Sequence, residues 1–332
     1  MFPCDVLETP ALIALDWGTS SLRAYAMGAG GEVLATRRSE HGVMHLPEGP
    51  DIGSSAAAFE RALQQLCGDW LHQHPRTALI ACGMVGSAQG WREAPYQPLP
   101  SREADLACAV TRIERPGGLP LHVVPGLLQP GELPNVMRGE ETQIVGVLQS
   151  LADEGRTVSA LLIGLPGTHT KWAWVEAGVV TRFETFMTGE VYAALSQHTI
   201  LGRTLLPGSP YDEPAFVRGL RVARSPLGAL GPLSTVFSVR TLGLTGQLTG
   251  STQPDYLSGL LIGHEVAALA PTLPDDCTVV LCGEPLLCLR YATALEAQGL
   301  PTPEIRSGVT PLGLWRIAQA AGLAQPSVSL HS

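Results

Sequence analysis

The first forty residues fall into three runs of apolar and alternating positions separated by small turns. Ala11 to Asp16 is a continuous apolar run closed by an acid, Leu22 to Met27 alternates, and Glu32 to Arg38 follows the Gly28–Gly31 turn. Runs of this length between polar or Gly-rich turns predict three antiparallel strands, with Asp16 at the first turn. The layout recurs from Ser159 to Thr185: apolar Ala160 to Gly164, a turn at Pro166 to Thr170, alternating Lys171 to Glu176, then Val179 to Phe186. Aligned without a gap, Gly18 and Thr19 fall on Gly167 and Thr168, and Ala24 falls on Ala173. The repeat is too widely spaced for a solenoid and suits a duplicated domain.

Between the copies, Phe59, Leu63, Leu66 and Trp70 have the spacing of an amphipathic helix over Ser55 to His72. Ala78 to Cys82 reads as a buried strand ending at Gly83, and Leu121 to Val124 as another. Ser101 to Leu119 shows no regular pattern and contains the breaker Pro116-Gly117-Gly118. Pro125-Gly126 and Pro130-Gly131 precede a helix that begins near Gly139. The domain boundary is placed in this Pro/Gly-rich stretch, giving domains 1–130 and 131–332. In the second half, helices are expected at Gly189 to Gln197, Glu213 to Arg224, Asp255 to Ala270, Pro285 to Gln298 and Thr310 to Ala321. A strand is expected at Cys277 to Cys282. Helices that follow strands define an α/β protein.

Length supports the same division, because 332 residues exceed the usual size of a single core. With 45% hydrophobic and 15% charged residues the chain has ample apolar surface to bury and does not resemble a disordered protein. A net charge of −9 disfavours a nucleic-acid partner, while leaving room for nucleotides held by backbone amides and Mg²⁺. No apolar run is long enough to span a membrane. Asp5 and Glu8 stand where a signal peptide would carry basic residues, so the expected location is cytoplasmic. The seven cysteines include no CxxC pair and read as small buried hydrophobes.

Two Gly-Thr hairpin turns are a way to hold a polyphosphate: glycine lets the backbone approach, and turn amides and hydroxyls donate to phosphate oxygens. Asp16 is the candidate metal residue, holding Mg²⁺ through water. A single such turn would be an ordinary hairpin; its repetition at Gly167-Thr168 makes the functional reading worth pursuing.

The paired turns resemble the phosphate hairpins of the superfamily that contains sugar kinases, heat-shock chaperones and actin. More specifically, the chain resembles the 2-dehydro-3-deoxygalactonokinase family. The residues that carry the resemblance are Asp16-Trp-Gly-Thr-Ser-Ser-Leu-Arg23, Gly83-Met-Val-Gly-Ser87 with Gly90-Trp91, Ala94-Pro-Tyr96, and Asn135-Val-Met-Arg-Gly-Glu-Glu-Thr-Gln143. It continues in Pro166-Gly-Thr-His169 with Lys171-Trp172, Met187-Thr-Gly-Glu190 and Ser258-Gly-Leu-Leu-Ile-Gly263. The resemblance implies a two-domain ribonuclease H-like fold with a cleft between duplicated domains, ATP and Mg²⁺ as cofactors, and transfer of a phosphoryl group to C6 of a sugar acid in galactonate catabolism. A small sugar acid and ATP are then the partners, with no nucleic acid or membrane involved; a homodimer stays open. A kinase of the epimeric 2-dehydro-3-deoxygluconate, or a non-catalytic sensor, is the alternative.

Carried onto this sequence, the resemblance makes Glu140 the candidate base, with Glu141 as its rival. Adjacent helical residues point about 100° apart, so only one of them faces a given site, and an acidic first turn also complements the helix dipole. A substrate carboxylate calls for a fork of donors: Arg23 and Arg138 rank above Arg92. Ser87, Gln89 and Trp91 are candidates for hydroxyl contacts and a sugar-stacking face. Gly18, Thr19, Ser20, Gly167, Thr168, His169 and Lys171 are the candidates at the phosphates, and Glu190 is a weaker one for metal. Gly283 is carried over at the adenosine end. There the sequence departs from the family, with Glu284-Pro285 where a small hydroxyl residue is more usual, and Glu284 is read as an acceptor for ribose hydroxyls.

Overall fold

The computed structural model describes residues 9–48, 55–273 and 277–324. They form two compact units, the first from residues 9–48, 55–159, 176–182 and 308–324, the second from 160–175, 183–273 and 277–307.

In the first unit the apolar run becomes β1 (Leu12–Trp17), followed by β2 (Leu22–Met27), β3 (Val33–Ser39), α1 (Ser55–Gln73) and β4 (Ala78–Gly83). β5 (Gln97–Pro98), α2 (Glu103–Cys108), β6 (Thr111–Ile113), β7 (Leu121–Val123), β8 (Leu127–Gln129), β9 (Asn135–Met137) and α3 (Glu140–Asp153) complete the stretch. The main sheet runs β3-β2-β1-β4-β7-β6. β1 is antiparallel to β2, with Asp16 opposite Arg23, and parallel to β4, with Asp16 opposite Cys82. Successive strand residues face opposite sides. Ile13, Leu15 and Trp17 therefore meet Phe59, Leu63, Leu66 and Trp70 of α1 in one core, while Asp16 faces the other way. Each of these fully buried side chains contributes roughly 1.5–3 kcal/mol, so packing rather than intrinsic propensity holds α1.

The second unit contains β10 (Ala160–Leu165), β11 (Thr170–Glu176), β12 (Val179–Phe186), α4 (Thr188–His198), α5 (Glu213–Arg224), α6 (Pro232–Thr235), α7 (Ser238–Leu244) and α8 (Gln253–Leu269). β13 (Thr278–Cys282), α9 (Pro285–Ala297) and β14 (Glu304–Arg306) follow, and α10 (Thr310–Ala320) returns to the first unit. The sheet order is β12-β11-β10-β13-β14, with β10, β13 and β14 parallel. Counted from the start of each sheet's own strand series, both units place a hairpin-connected third, second and first strand beside a parallel fourth. The internal repeat is thus a repeat of topology.

Helix crossings account for several glycines of the motifs. A Cβ on Gly259 would lie 2.0 Å from the Phe216 carbonyl oxygen, and one on Gly219 2.3 Å from that of Tyr256, so α5 and α8 cross backbone to backbone. The glycines of Ser258 to Gly263 are packing residues. In the first unit a Cβ on Gly313 of α10 would come within 1.9 Å of the Thr142 carbonyl of α3.

That second crossing moves the boundary. α3, expected in the second domain, packs on α10 in the first unit, and the chain divides after Ser159 rather than near 130. The hairpin end 176–182 also belongs to the first unit, where Ser101 and Val180 exchange backbone hydrogen bonds of 2.8 and 3.1 Å. The Pro/Gly-rich stretch near 130 instead forms β8 and β9 of a small sheet ordered β5-β8-β9. Within 101–119, read as irregular, lie α2 and β6, too short to show a period.

Candidate active site

The first turn is built by backbone hydrogen bonds. Gly18 N–H donates to the Ser21 carbonyl at 2.9 Å, and the segment after β3 closes over the turn through Val43 N–H to Gly18 O at 3.0 Å and Met44 N–H to Thr19 O at 3.0 Å. Gly42 is required there, since a Cβ would sit 2.4 Å from the Thr19 carbonyl. Thr19 and Ser20 are left exposed at the tip. Behind the tip, Arg23 Nη1 donates to Asp16 Oδ2 at 3.4 Å. Burial raises the Asp16 carboxyl above its ordinary range, and the Arg23 charge opposes that shift.

The start of α3 presents the two candidate bases in different settings. Gly83 (φ +90°) and Gly139 (φ +109°) occupy backbone conformations suited to glycine, and a Cβ on Gly139 would lie 3.4 Å from Gly83 Cα. This brings the end of β4 against the start of α3. Glu141 is 1% exposed; it accepts from Gly139 N–H at 2.6 Å and Thr142 Oγ1 at 3.0 Å. Burial, with Glu140 adding to it, pushes its carboxyl up to about 8, so it is largely protonated near neutrality. Glu140 is half-buried and its Oε2 accepts from the Arg138 backbone N–H at 3.0 Å.

Arg138 lies along the loop after β4. Its Nη2 donates to the Ala94 carbonyl at 2.8 Å and its guanidinium stacks 4.2 Å from the Tyr96 ring centroid. Nε and Nη1 of Arg138 and Oγ of Ser87 are buried without a protein partner. Buried donors are ordinarily satisfied, so these three atoms are where a polar ligand would repay desolvation. Trp91 is different. Its ring, partly buried, stacks on Phe59 at 5.7 Å and meets Trp17 edge-on at 6.1 Å, packed against the α1 core. Gln89 is exposed, and Arg92 is a surface residue whose Nη1 donates to the Arg112 carbonyl at 3.3 Å.

In the second unit, Glu190 N–H donates to the Thr168 carbonyl at 2.9 Å, as Met44 does to Thr19. Gly189 stands where Gly42 stands in the first copy: a Cβ there would lie 2.4 Å from the Gly167 carbonyl. Thr168 and His169 are exposed, and His169 Nε2 pairs with Glu190 Oε2. Lys171 is neither a solvated strand-end lysine nor directed at the turn tip. It is 6% exposed, and its Nζ donates to Thr185 Oγ1 at 2.8 Å across the β11–β12 pair. Gly283 abuts the turn, with its Cβ position 3.1 Å from the Pro166 carbonyl. Glu284 caps α9, accepting from Leu286 N–H at 3.1 Å and Leu287 N–H at 2.7 Å. Its carboxylate is engaged by the helix end.

Sequence reasoning missed Glu265. This carboxyl on α8 is 3% exposed, accepts from Trp172 Nε1 at 2.7 Å and Tyr291 Oη at 2.8 Å, and takes a third hydrogen bond from Thr188 Oγ1. Burial lifts it to about 7, against the three donors. Beside it, Gly167, Gly189, Tyr192, Leu261, Leu287 and Tyr291 line a mostly apolar cavity of about 160 Å³. A larger open hollow of about 800 Å³ also borders Glu265 and includes Phe186, Met187, Ala223 and His264, but no residue of the 166–171 turn.

Duplicated sheets of this order, each with a Gly-Thr turn after its first strand, define the ribonuclease H-like fold of actin-like ATPases and sugar kinases. A family model described as 2-keto-3-deoxy-galactonokinase matches residues 16–317. The 2-dehydro-3-deoxygalactonokinase of Escherichia coli K12 is 34% identical over 292 residues, covering 88% of this chain and 91% of the relative. A Rhizobium meliloti protein assigned the same activity is 35% identical over 293 residues, 86% and 89% of the two chains. The crystal structure of a Sinorhizobium meliloti protein so assigned superposes with a TM-score of 0.78 at 34% identity, covering 93% of this chain and 98% of that one. The chain belongs to the 2-keto-3-deoxy-galactonokinase family.

Proposed function

We propose that the chain transfers the γ-phosphoryl group of ATP to the C6 hydroxyl of 2-dehydro-3-deoxygalactonate, giving ADP and the 6-phosphate. The observation that carries the reading is the near-complete match to a kinase of that substrate in a chain whose two turns share one backbone frame. Phosphoryl transfer needs positioning, charge neutralisation and a carboxylate at the attacking hydroxyl. Glu140 is the group that takes the hydroxyl proton. Glu141, buried and largely protonated near neutrality, holds the helix start in place.

Gly18, Thr19 and Ser20, and Gly167, Thr168 and His169, supply amides and side-chain donors to phosphate oxygens. The apolar cavity beside Gly167 takes the adenosine end, with Gly283 at its rim. Lys171 supports the hairpin through Thr185. Ser87 and the unpartnered N–H groups of Arg138 face the acid, and Arg23 positions Asp16. Among the described residues no three His, Cys, Asp or Glu side chains cluster as a metal cage. A lone carboxylate at Asp16 suits Mg²⁺, which keeps most of its waters and binds substrate phosphates. When bound, the ion neutralises charge on the phosphates. No helix among the described residues is long and apolar enough to cross a membrane, and we place the reaction in the cytoplasm.

ADP release from Mg-ATP, measured with 2-dehydro-3-deoxygalactonate, its gluconate epimer, a neutral hexose and no acceptor, tests the assignment. The expected result is turnover dependent on the sugar acid, fastest with the galactonate derivative. Equal ADP release with and without acceptor would refute it.

A further inference from the structure

The mechanism proposed above leaves two buried carboxyls of α8 without a role: Asp255 is paired with the Arg290 guanidinium, whereas Glu265 is held by neutral donors. Glu265 sits in an otherwise apolar stretch of α8, where leucine would pack without the cost of desolvating a carboxyl. Its neighbours explain the choice. Trp172 lies on β11, the strand that leaves the second turn; Thr188 opens α4, the helix whose Gly189 packs on that turn; Tyr291 lies on α9, the helix that follows Gly283. Three donors from three elements need one group with two acceptor oxygens, and Glu265 Oε1 and Oε2 supply them. The network reaches the turn itself, because Thr170 Oγ1 and Tyr291 Oη share a hydrogen bond of 2.8 Å. Thr170 and Trp172 are fully buried and Tyr291 is 1% exposed, so the bonds among these groups are shielded from solvent, while Thr188 is half-buried where the open hollow borders Glu265. Tyr291 also lines the cavity beside Gly167.

We infer that Glu265 is a positioning residue for nucleotide binding: by joining β11, α4 and α9 it fixes the second Gly-Thr turn against the helices and the cavity around it. The inference rests on the reading of that turn as a phosphate-binding element. A fully satisfied buried polar network specifies one arrangement of the elements it joins, where an apolar contact would tolerate several. The chemistry of Glu265 is confined to accepting these hydrogen bonds, and it touches no substrate.

The experiment compares wild type with Tyr291→Phe, Glu265→Gln and Glu265→Leu in the full chain, measuring ADP affinity by calorimetry and KM for ATP and for the sugar acid. Tyr291→Phe keeps the ring and removes the link to Thr170. It is expected to weaken ADP binding and raise the ATP KM about five- to tenfold, with the acid KM within about twofold. Glu265→Gln keeps an acceptor for Trp172 and is expected to stay within about threefold of wild type, whereas Glu265→Leu exceeds tenfold. Should the leucine variant fail to fold, the phenylalanine variant decides. A folded Tyr291→Phe protein with unchanged nucleotide affinity, or with equal losses toward both substrates, would overturn the positioning role. Gly189→Val, which drives a side chain into the Gly167 carbonyl, separates the two layers of the argument. If it too leaves ADP affinity unchanged, the reading of the turn fails and the inference falls with it.

Discussion

The two Gly-Thr turns share a backbone and differ in what stands behind it. In both, a glycine from the segment after the third strand packs on the turn, and a backbone N–H closes on the threonine carbonyl. Behind the first lies an ion pair, Asp16 with Arg23, on the sheet face opposite the α1 core. In the ungapped alignment of the copies, Leu165 stands in the place of Asp16 and Trp172 in the place of Arg23. The second turn is backed by the neutral donors Trp172, Thr188 and Tyr291 converging on Glu265. Both copies keep the frame that presents amides and hydroxyls; the carboxylates proposed for metal binding and proton transfer, Asp16 and Glu140, lie in the first unit, and the second turn carries the His169–Glu190 pair at its tip. In the proposed reaction the first copy therefore carries the chemistry and the second fixes the nucleotide.

The comparison is broken most directly at Asp16. Asp16→Asn preserves shape and removes the charge that suits Mg²⁺, and kcat is expected to fall by about 10³-fold or more with the fold retained. Activity within tenfold of wild type by ADP release would show that the chemistry does not depend on the first copy's carboxylate. Arg138→Ala is expected to raise the KM for the acid by about tenfold or more, with little change in the KM for ATP. An unchanged acid KM would remove Arg138 from the substrate site and leave it as the tie between the Gly86–Tyr96 loop and α3.

The smallest effect separates Glu141 from its neighbour through pH. Its folded carboxyl is pushed up to about 8, well above the ordinary value of an exposed glutamate. Between roughly pH 4.5 and 8 the folded state holds a proton that the unfolded chain has released, so this group lowers stability as pH rises. Glu141→Gln keeps an acceptor for Gly139 N–H and is expected to flatten the decline, gaining on the order of 3 kcal/mol over wild type at pH 8. A residual slope remains from Glu265, raised to about 7. Parallel curves of melting temperature against pH for the two proteins would contradict the burial argument.

Much of this frame is readable from the residues, and the failures have physical causes. The hairpins were legible because Ala11 to Leu15 and Ala160 to Ile163 are continuous apolar runs cut by small turns. α3 was legible because an acidic first turn follows Gly139. The boundary was not, because the packing partner of α3 is α10, which returns from the far end of the chain, and no local signal announces a contact of that range. β5, β8 and β9 span two or three residues each and are too short to show a period. Trp91 and Arg138 were ambiguous because sequence does not say where a side chain points. Glu265 was overlooked because α8 is apolar on nearly every face. The signal available was a carboxylate deep in that run, well past the Asp255 of its first turn, which a buried network explains and a surface position does not.

The claim that the first copy carries the proton transfer is tested most directly by Glu140→Gln, assayed for kcat at saturating sugar acid and for Mg-ATP affinity in the same preparation. The account predicts a fall in kcat of about 10²–10⁴-fold with nucleotide affinity within about threefold of wild type. Wild-type turnover in that variant would contradict it.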